Sequence, residues 1–192
     1  ITRLPDSIVV AETTTGNEYI DNSITKLNIY SYQIQAITPD GAGPTATTDR
    51  LVMGPALTVP YRCNFATDDQ FALWNVIDAN NDEYTWKRET TLAAAYYSYN
   101  EDGETGGDDW LVSSPIHLEK NKIYRLKFKL QSYDVGYPEK VAVHLGTGAS
   151  VAEQTTLLGD YEVESNTFVE YKVILPERLE SGNYHISFHC HS

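Results

Sequence analysis

The sequence predicts an all-β protein built from sandwich-type units, and three observations carry that prediction. Short runs of alternating apolar and polar residues recur along the chain with turn signals between them, the pattern of half-buried strands. Residue usage points the same way: 14 Tyr stand against 5 Phe, 3 Trp and 1 Met, and tyrosine suits a pleated, half-wet surface better than a helical core. No segment longer than a turn shows a 3.6-residue apolar period, so no amphipathic helix is expected. Hydrophobic residues make up 41% of the 192 residues, enough to bury a core and to exclude wholesale disorder.

Taken in order, Ser7 to Glu12 reads as a strand, Thr13 to Asn17 as a turn and Glu18 to Asp21 as a short extended piece. Tyr30 to Ile37 alternates cleanly, with Tyr30, Tyr32, Ile34 and Ala36 on one face. Pro39-Asp40-Gly41-Ala42-Gly43-Pro44 is a turn-dense loop, and Thr45 to Met53 is a last strand before Gly54-Pro55. These residues form a first domain, 1–54. Beyond it the strands and the acidic loops both lengthen, which defines a second domain, 55–192. Its expected strands are Tyr61–Phe65, Ala72–Ile77, Thr85–Glu89, Ala94–Tyr99, Trp110–Ser113, Ile123–Leu130, Lys140–His144, Thr155–Glu162, Val169–Ile174 and Tyr184–Cys190. Many short strands at such spacing argue for a sandwich.

Charge and composition narrow the functional classes. The formal net charge is −13 and no Lys/Arg cluster stands out along the sequence, so a phosphate backbone would be repelled and nucleic acid is not expected as a partner. No run of 18 apolar residues occurs, so no membrane insertion is expected. The chain opens at Ile1 directly into structured-looking sequence without a secretory signal, as a mature or excised chain would. Cys63 and Cys190 are the two cysteines. Each lies in an alternating run, so both should face inward. They are either paired, closing a long loop at roughly 4–5 kcal/mol in the chain-entropy model, or two buried free thiols.

Two resemblances follow from particular residues. Ile24, Tyr30, Ile34 and Ala36 repeat the Leu-x5-Tyr-x3-Val-x-Ala spacing of the penultimate strand of fibronectin type III domains, and Gly41-Ala42-Gly43 suits that family's last hairpin. The first segment therefore resembles the back half of such a domain. The resemblance implies that Tyr30 is a tyrosine-corner residue whose hydroxyl caps backbone. Residues 1–54 are too few for a whole domain of that family, so a partial sandwich is expected, marginal unless covered by the second domain or by a neighbouring chain.

The second segment is similar to the cleaved-adhesin or choice-of-anchor jelly-roll family. That family includes the haemagglutinin/adhesin domains attached to gingipain proteases in surface proteins of anaerobic Gram-negative bacteria. The match is carried by Val59-Pro60-Tyr61 to Phe65 and by Trp74-Asn75-Val76-Ile77-Asp78-Ala79-Asn80-Asn81-Asp82 leading to Trp86. Asp108-Asp109-Trp110-Leu111-Val112-Ser113-Ser114-Pro115-Ile116 and Ser181-Gly182-Asn183-Tyr184-His185-Ile186-Ser187-Phe188 complete it. The family's acidic, aromatic closing strand is not found before Ser192, so truncation at both ends is expected, as in a piece cut from a larger multi-module protein.

Three groups of residues are candidates for binding. Asp78-x-Asn80-x-Asp82 places oxygen ligands at alternate loop positions, a spacing that suits hard Ca²⁺. It lacks the EF-hand's glycine, and an Asx-rich turn capping its own backbone gives the same spacing. The adhesin resemblance implies structural Ca²⁺, with Asp109 as a further ligand. Tyr97, Tyr99, Tyr133, Asp134 and Tyr137 form a candidate platform where an aromatic face beside a carboxylate could stack on a pyranose; tyrosines merely alternating on a strand are the plainer reading. Trp74, Trp86 and Trp110 are expected to plug the core. His185, His189 and His191 share one face of the last strand, too few convergent ligands for a transition metal.

No catalytic signature is present: no Gly-x-Ser-x-Gly elbow, no His-Glu-x-x-His, no phosphate loop and no dinucleotide fingerprint. Asp108 and Asp109 are adjacent and should point to opposite faces of a strand, unlike the facing carboxylates of a glycosidase. The expected function is therefore non-catalytic adhesion or binding at an extracellular or bacterial cell surface, to a glycan or host-surface protein and beside other modules of a parent polypeptide. A passive spacer of a larger secreted enzyme, and a hydrolase, are the competing classes.

Overall fold

Among the described residues, strand alternation and turn chemistry build five strands before Pro55. The computed structural model describes residues 1–12, 16, 18–98, 106–136, 138–177 and 180–191, and it divides into two compact units, Ile1–Pro55 and Ala56–Ser192. In the first, β1 (Thr2–Leu4), β2 (Ile8–Val9), β3 (Asn28–Thr38), β4 (Gly41–Thr47) and β5 (Leu51–Met53) form one antiparallel sheet in the order β2-β1-β3-β4, with β5 also on β3. The turn-dense stretch expected over 39–44 is tighter than its composition suggests. Thr38 pairs with Gly41, Gly41 takes a positive φ of 125°, and β4 runs on through Pro44. A strand at the sheet's edge tolerates proline, whose missing N–H costs no ladder bond there.

Other expectations for this unit need correction. The last strand is two strands, β4 and β5, the strand expected over 7–12 shrinks to Ile8–Val9, and 18–21 forms no strand. Asp21 explains the last point: its carboxylate binds the Arg3 guanidinium and the hydroxyls of Ser23 and Tyr32, so side chains rather than a ladder fix that segment. Arg3, only 4% exposed, is further held by Asp6 and lies 5.3 Å from the Tyr30 ring centre. The Tyr30 hydroxyl donates to the Lys26 carbonyl at 2.8 Å. Gly54, at φ 137°, closes the unit where a Cβ would meet Leu27 Cα and the Lys26 carbonyl at 2.6 Å; no other residue fits.

In the second unit, α1 (Asp68–Ala72) precedes β6 (Asn75–Asp78), β7 (Trp86–Glu89), β8 (Ala94–Tyr97), β9 (Asp108–Val112) and β10 (Ile116–Leu118). Then follow β11 (Arg125–Leu130), β12 (Glu139–Gly146), β13 (Thr156–Val163), β14 (Val169–Ile174) and β15 (Gly182–His191). A six-stranded sheet runs β13-β12-β15-β9-β6, with β10 also on β15, and two separate ribbons pair β11 with β14 and β7 with β8. The inner faces meet in two adjoining clusters. Trp86, Leu111, Val141, Val163 and Cys190 centre one; Leu118, Val143, Leu145, Leu175 and Ile186 centre the other. Phe188 and Tyr161 pack against both. The result is a nearly all-β sandwich.

Three expectations fail for physical reasons. Tyr61–Phe65 forms no strand; at its end Phe65 takes a positive φ of 51° and the carbonyls of Phe65 and Ala66 accept from Arg88 Nη1 instead of a ladder partner. The strand expected over 72–77 begins only at Asn75, because a short helix ends at Ala72; Thr67 accepts from Gln70 N as its N-cap, and Asp68 and Asp69 occupy the first turn, a combination that starts helices without any apolar period. Trp86 is buried and donates to the Asp109 carbonyl, and Trp74 packs against the same core. Trp110, by contrast, is buried on the opposite face of the six-stranded sheet, stacked on His189 with ring centres 3.9 Å apart.

Candidate functional site

The loop after β6 is an acidic cradle. Asp78 accepts from the backbone N–H groups of Asp82 and Glu83 at 3.2 and 2.9 Å, and Asp82 accepts from Tyr84 N at 2.9 Å. Asn81 and Glu83 sit at φ 57° and 69°, positions this side-chain capping helps to hold. The Asx-turn reading thus accounts for much of what Asp78 and Asp82 do. Asn80 donates from Nδ2 to the Gly106 carbonyl at 2.9 Å.

A second set of oxygens has no such explanation. Register places Asp78 opposite Asp109, and Asp109 is fully buried at 0% exposure. Both its carboxylate oxygens, the Asn80 Oδ1 and the Thr85 hydroxyl are buried and make no well-formed hydrogen bond, the Thr85 hydroxyl being a weak donor beside Asp109. Burial pushes the Asp109 carboxyl above the usual range; the Thr85 hydroxyl opposes this, and the charges of Asp78 and Asp82 add to it. Orphaned buried oxygens of this kind are costly and are the donors a hard, oxygen-seeking cation takes. Among the described residues no three His, Cys, Asp or Glu side chains converge as a metal site, so an ion here would draw on the neutral oxygens of Asn80 and Thr85 as well. Sequence reasoning named Asp78, Asn80, Asp82 and Asp109 but missed Thr85, which no spacing rule points to.

The tyrosine candidates separate. Tyr97 faces inward from β8: its ring lies 5.9 Å from that of Trp86, and burial, followed by the Asp109 charge, pushes its hydroxyl well up. It is a core residue rather than part of a surface platform, because pairing of Trp86 with Tyr97 turns both to the same face. Tyr133 is 90% exposed. The loop beneath it is pinned: Ser132 N donates to the Ser165 carbonyl at 2.7 Å, the Ser132 hydroxyl to the Asp134 carbonyl at 2.8 Å, and Gly136 N to Asp134 Oδ1 at 2.9 Å. Tyr99 and Tyr137 lie outside the described residues.

The histidines of β15 each hold a different partner. His185 Nδ1 donates to the Ser113 carbonyl, His189 Nε2 to Asp108 and His191 Nε2 to Asp160. They form no common ligand set. Asp108 also accepts from the Trp110 indole at 3.2 Å, on the face away from Asp109, so the adjacent carboxylates do not face one another. Cys63 and Cys190 are free thiols, half-buried and buried respectively, and burial holds the Cys190 thiol well above its ordinary pKa.

A six-stranded sheet packed against two ribbons defines a β-sandwich. Solved structures specify the fold further: the second unit has the fold of a cleaved adhesin domain. The K1 cleaved adhesin domain of Lys-gingipain from Porphyromonas gingivalis W83 superposes with a TM-score of 0.51 at 22% identity, covering 63% of this chain and 82% of that one. The K3 domain of the same protein superposes with a TM-score of 0.50 at 19% identity, covering 63% and 83%. A span of that length is more than twice the first unit, so most of it must fall in the second. No protein-family profile and no curated relative matches the chain significantly.

Proposed function

We propose that this chain is a non-catalytic binding or adhesion module of an extracellular or bacterial cell surface, and that it recognises a glycan or a host-surface protein through the loop bearing Tyr133 and Asp134. One observation carries the reading: an almost fully exposed aromatic ring stands beside a carboxylate on a loop held by three hydrogen bonds. Leaving a large apolar ring in water has a cost, while a pinned loop loses little entropy on binding. The cleaved-adhesin fold of the second unit supports the class. Among the described residues no helix is long and apolar enough to cross a membrane.

In this reading residues 55–192 are the adhesin-like jelly roll and residues 1–54 a partial fibronectin type III-like domain, supported by the Tyr30 hydroxyl capping the backbone four residues upstream. Structural Ca²⁺ belongs to the same proposal. Asp109, Asn80 and Thr85 would hold it with Asp78 and Asp82 alongside, and it would supply positive charge to a buried carboxylate that has none.

The test is binding of the purified chain to glycan and matrix-protein arrays beside its Tyr133→Ala variant. A ligand retained by the wild type and lost by the variant is the expected result. Silence across both arrays refutes the reading in favour of a passive accessory domain, and turnover of a generic hydrolase panel refutes it in favour of an enzyme.

A further inference from the structure

Five of the 14 Lys and Arg fall within Lys120–Lys129, a basic cluster that the sequence reading passed over, and the fold turns three of them to one face. On the β11–β14 ribbon, Leu126, Phe128 and Leu130 turn inward with Tyr171 and Val173, which leaves Arg125, Lys127 and Lys129 on the outer face with Lys172. Register sets Lys127 directly opposite Lys172, Lys129 opposite Glu170 and Arg125 opposite Ile174. The only acid in these pairs, Glu170, lies 3.0 Å from Lys172 and 3.9 Å from Lys127. Four cations thus line one narrow face of a chain whose net charge is −13.

Nothing in the packing asks for this arrangement. Lysine is a poor strand former, and like charges directly opposite one another weaken a ribbon. The geometry instead suits a linear polyanion: alternate residues on one strand repeat at roughly 6.6 Å, so Arg125, Lys127 and Lys129 make an evenly spaced row with Lys172 beside it. Within the two strands the surface offers charge without aromatic faces, the exposed rings of Phe168 and Tyr133 lying beyond the strand ends. Phe128 and Tyr171 are stacked on each other at 5.6 Å, and both rings pack edge-on against Tyr161. Bases of a single-stranded nucleic acid therefore have no platform, and neutral sugars have no ring to lie on. The exposed apolar side chain of this outer face, Ile174 at 61%, is aliphatic.

We propose that the outer face of the β11–β14 ribbon docks a linear sulfated polysaccharide, its sulfates read by Arg125, Lys127, Lys129 and Lys172. This deepens the binding-module reading by naming an anionic glycan class, but it uses a surface that contains none of the Tyr133 loop.

The probe is heparin, titrated calorimetrically at 50 and 150 mM NaCl against the wild type, a Lys127→Gln/Lys129→Gln double variant and Tyr133→Ala. Expected are salt-sensitive binding by the wild type and a loss of roughly 25-fold in the double variant, about fivefold for each charge removed. The salt slope should fall by about two. Tyr133→Ala should bind heparin unchanged, so failure of the tyrosine loop and failure of the ribbon are read separately. The substituted side chains point into solvent, and an unaltered melting midpoint confirms that the variant is folded. Full-strength heparin binding by the double variant overturns the proposal, as does absence of heparin binding at 50 mM NaCl, which would leave the lysines as protection of exposed strand edges. Equal affinity for a single-stranded oligonucleotide or for unsulfated dextran overturns the choice of partner.

Discussion

Asp109→Asn is predicted to reverse its effect on stability with calcium. In chelator-treated protein, Asp109 is a fully buried carboxyl with no cation beside it and no well-formed hydrogen bond, the Thr85 hydroxyl being a weak donor to it. Keeping such a group ionised costs several kcal/mol, and even its neutral form forfeits the hydrogen bonds it would make in water. Asparagine keeps the size and removes the charge, so at neutral pH without calcium the variant should be at least as stable as the wild type, by about 1 kcal/mol. Added Ca²⁺ reverses the order. At a hundredfold excess over its Kd, a ligand bound only by the native state stabilises by about 2.7 kcal/mol, which for a unit of this size is roughly 8 °C in Tm. The wild type gains that shift, and the variant, lacking the buried anion, loses most of it. Differential scanning calorimetry of both proteins in EDTA and in millimolar CaCl₂ reads all four values. A wild-type Tm indifferent to calcium, or a full calcium shift in Asp109→Asn, refutes the assignment of these oxygens to an ion.

Further outcomes follow from other contacts. Tyr30→Phe removes the hydroxyl that caps the Lys26 carbonyl and should lower the stability of the first unit by about 1 kcal/mol, read as a shift in its urea midpoint; an unchanged midpoint removes the tyrosine-corner role. Leu111, 1% exposed between the sheets, should cost about 2–5 kcal/mol as Leu111→Ala, and a loss below 1 kcal/mol would mean the core is not where it is described. Burial holds the imidazoles of His144 and His189 below their ordinary pKa of 6.5. Because the unfolded chain then binds more protons below that value, stability present above pH 6.5 should decline as the pH falls towards 5. The raised carboxyls of Asp109 and Glu139 work in the opposite sense, so the difference between wild type and His189→Gln isolates the imidazole; parallel pH profiles would count against it. Without reductant, two thiols should react with Ellman's reagent in denaturant and Cys190 should react slowly in the native protein; their absence in denaturant would reveal a disulfide.

How far the sequence could be read depended on whether a feature is local. Val169–Ile174 was legible to the residue because alternation, flanking turns and burial all act within one segment. Helix α1 was not, since five residues hold no period and its one signal is the Thr67 cap. That Asp78 and Asp82 cap their own loop was legible from spacing, but that Thr85 lies beside Asp109 was not, because strand register rather than sequence distance brings them together. Tyr97 was misassigned for a related reason: with Tyr96 and Tyr97 adjacent, only the pairing of β7 with β8 decides which ring goes inside, and it chose the one facing Trp86. The basic ribbon is the extreme case. Lys120, Lys122, Arg125, Lys127 and Lys129 stand within ten residues that contain no acid, so the cluster was present in the sequence and was passed over; that its last three cations share a face with Lys172, far along the chain, was not legible. Period-two alternation moves every intervening Leu and Phe to the other face, and one antiparallel register adds the fourth cation. A basic segment within an acidic sequence can therefore be sharpened into a single charged face by a strand's pleat, and net charge alone is a poor guide to what such a sandwich binds.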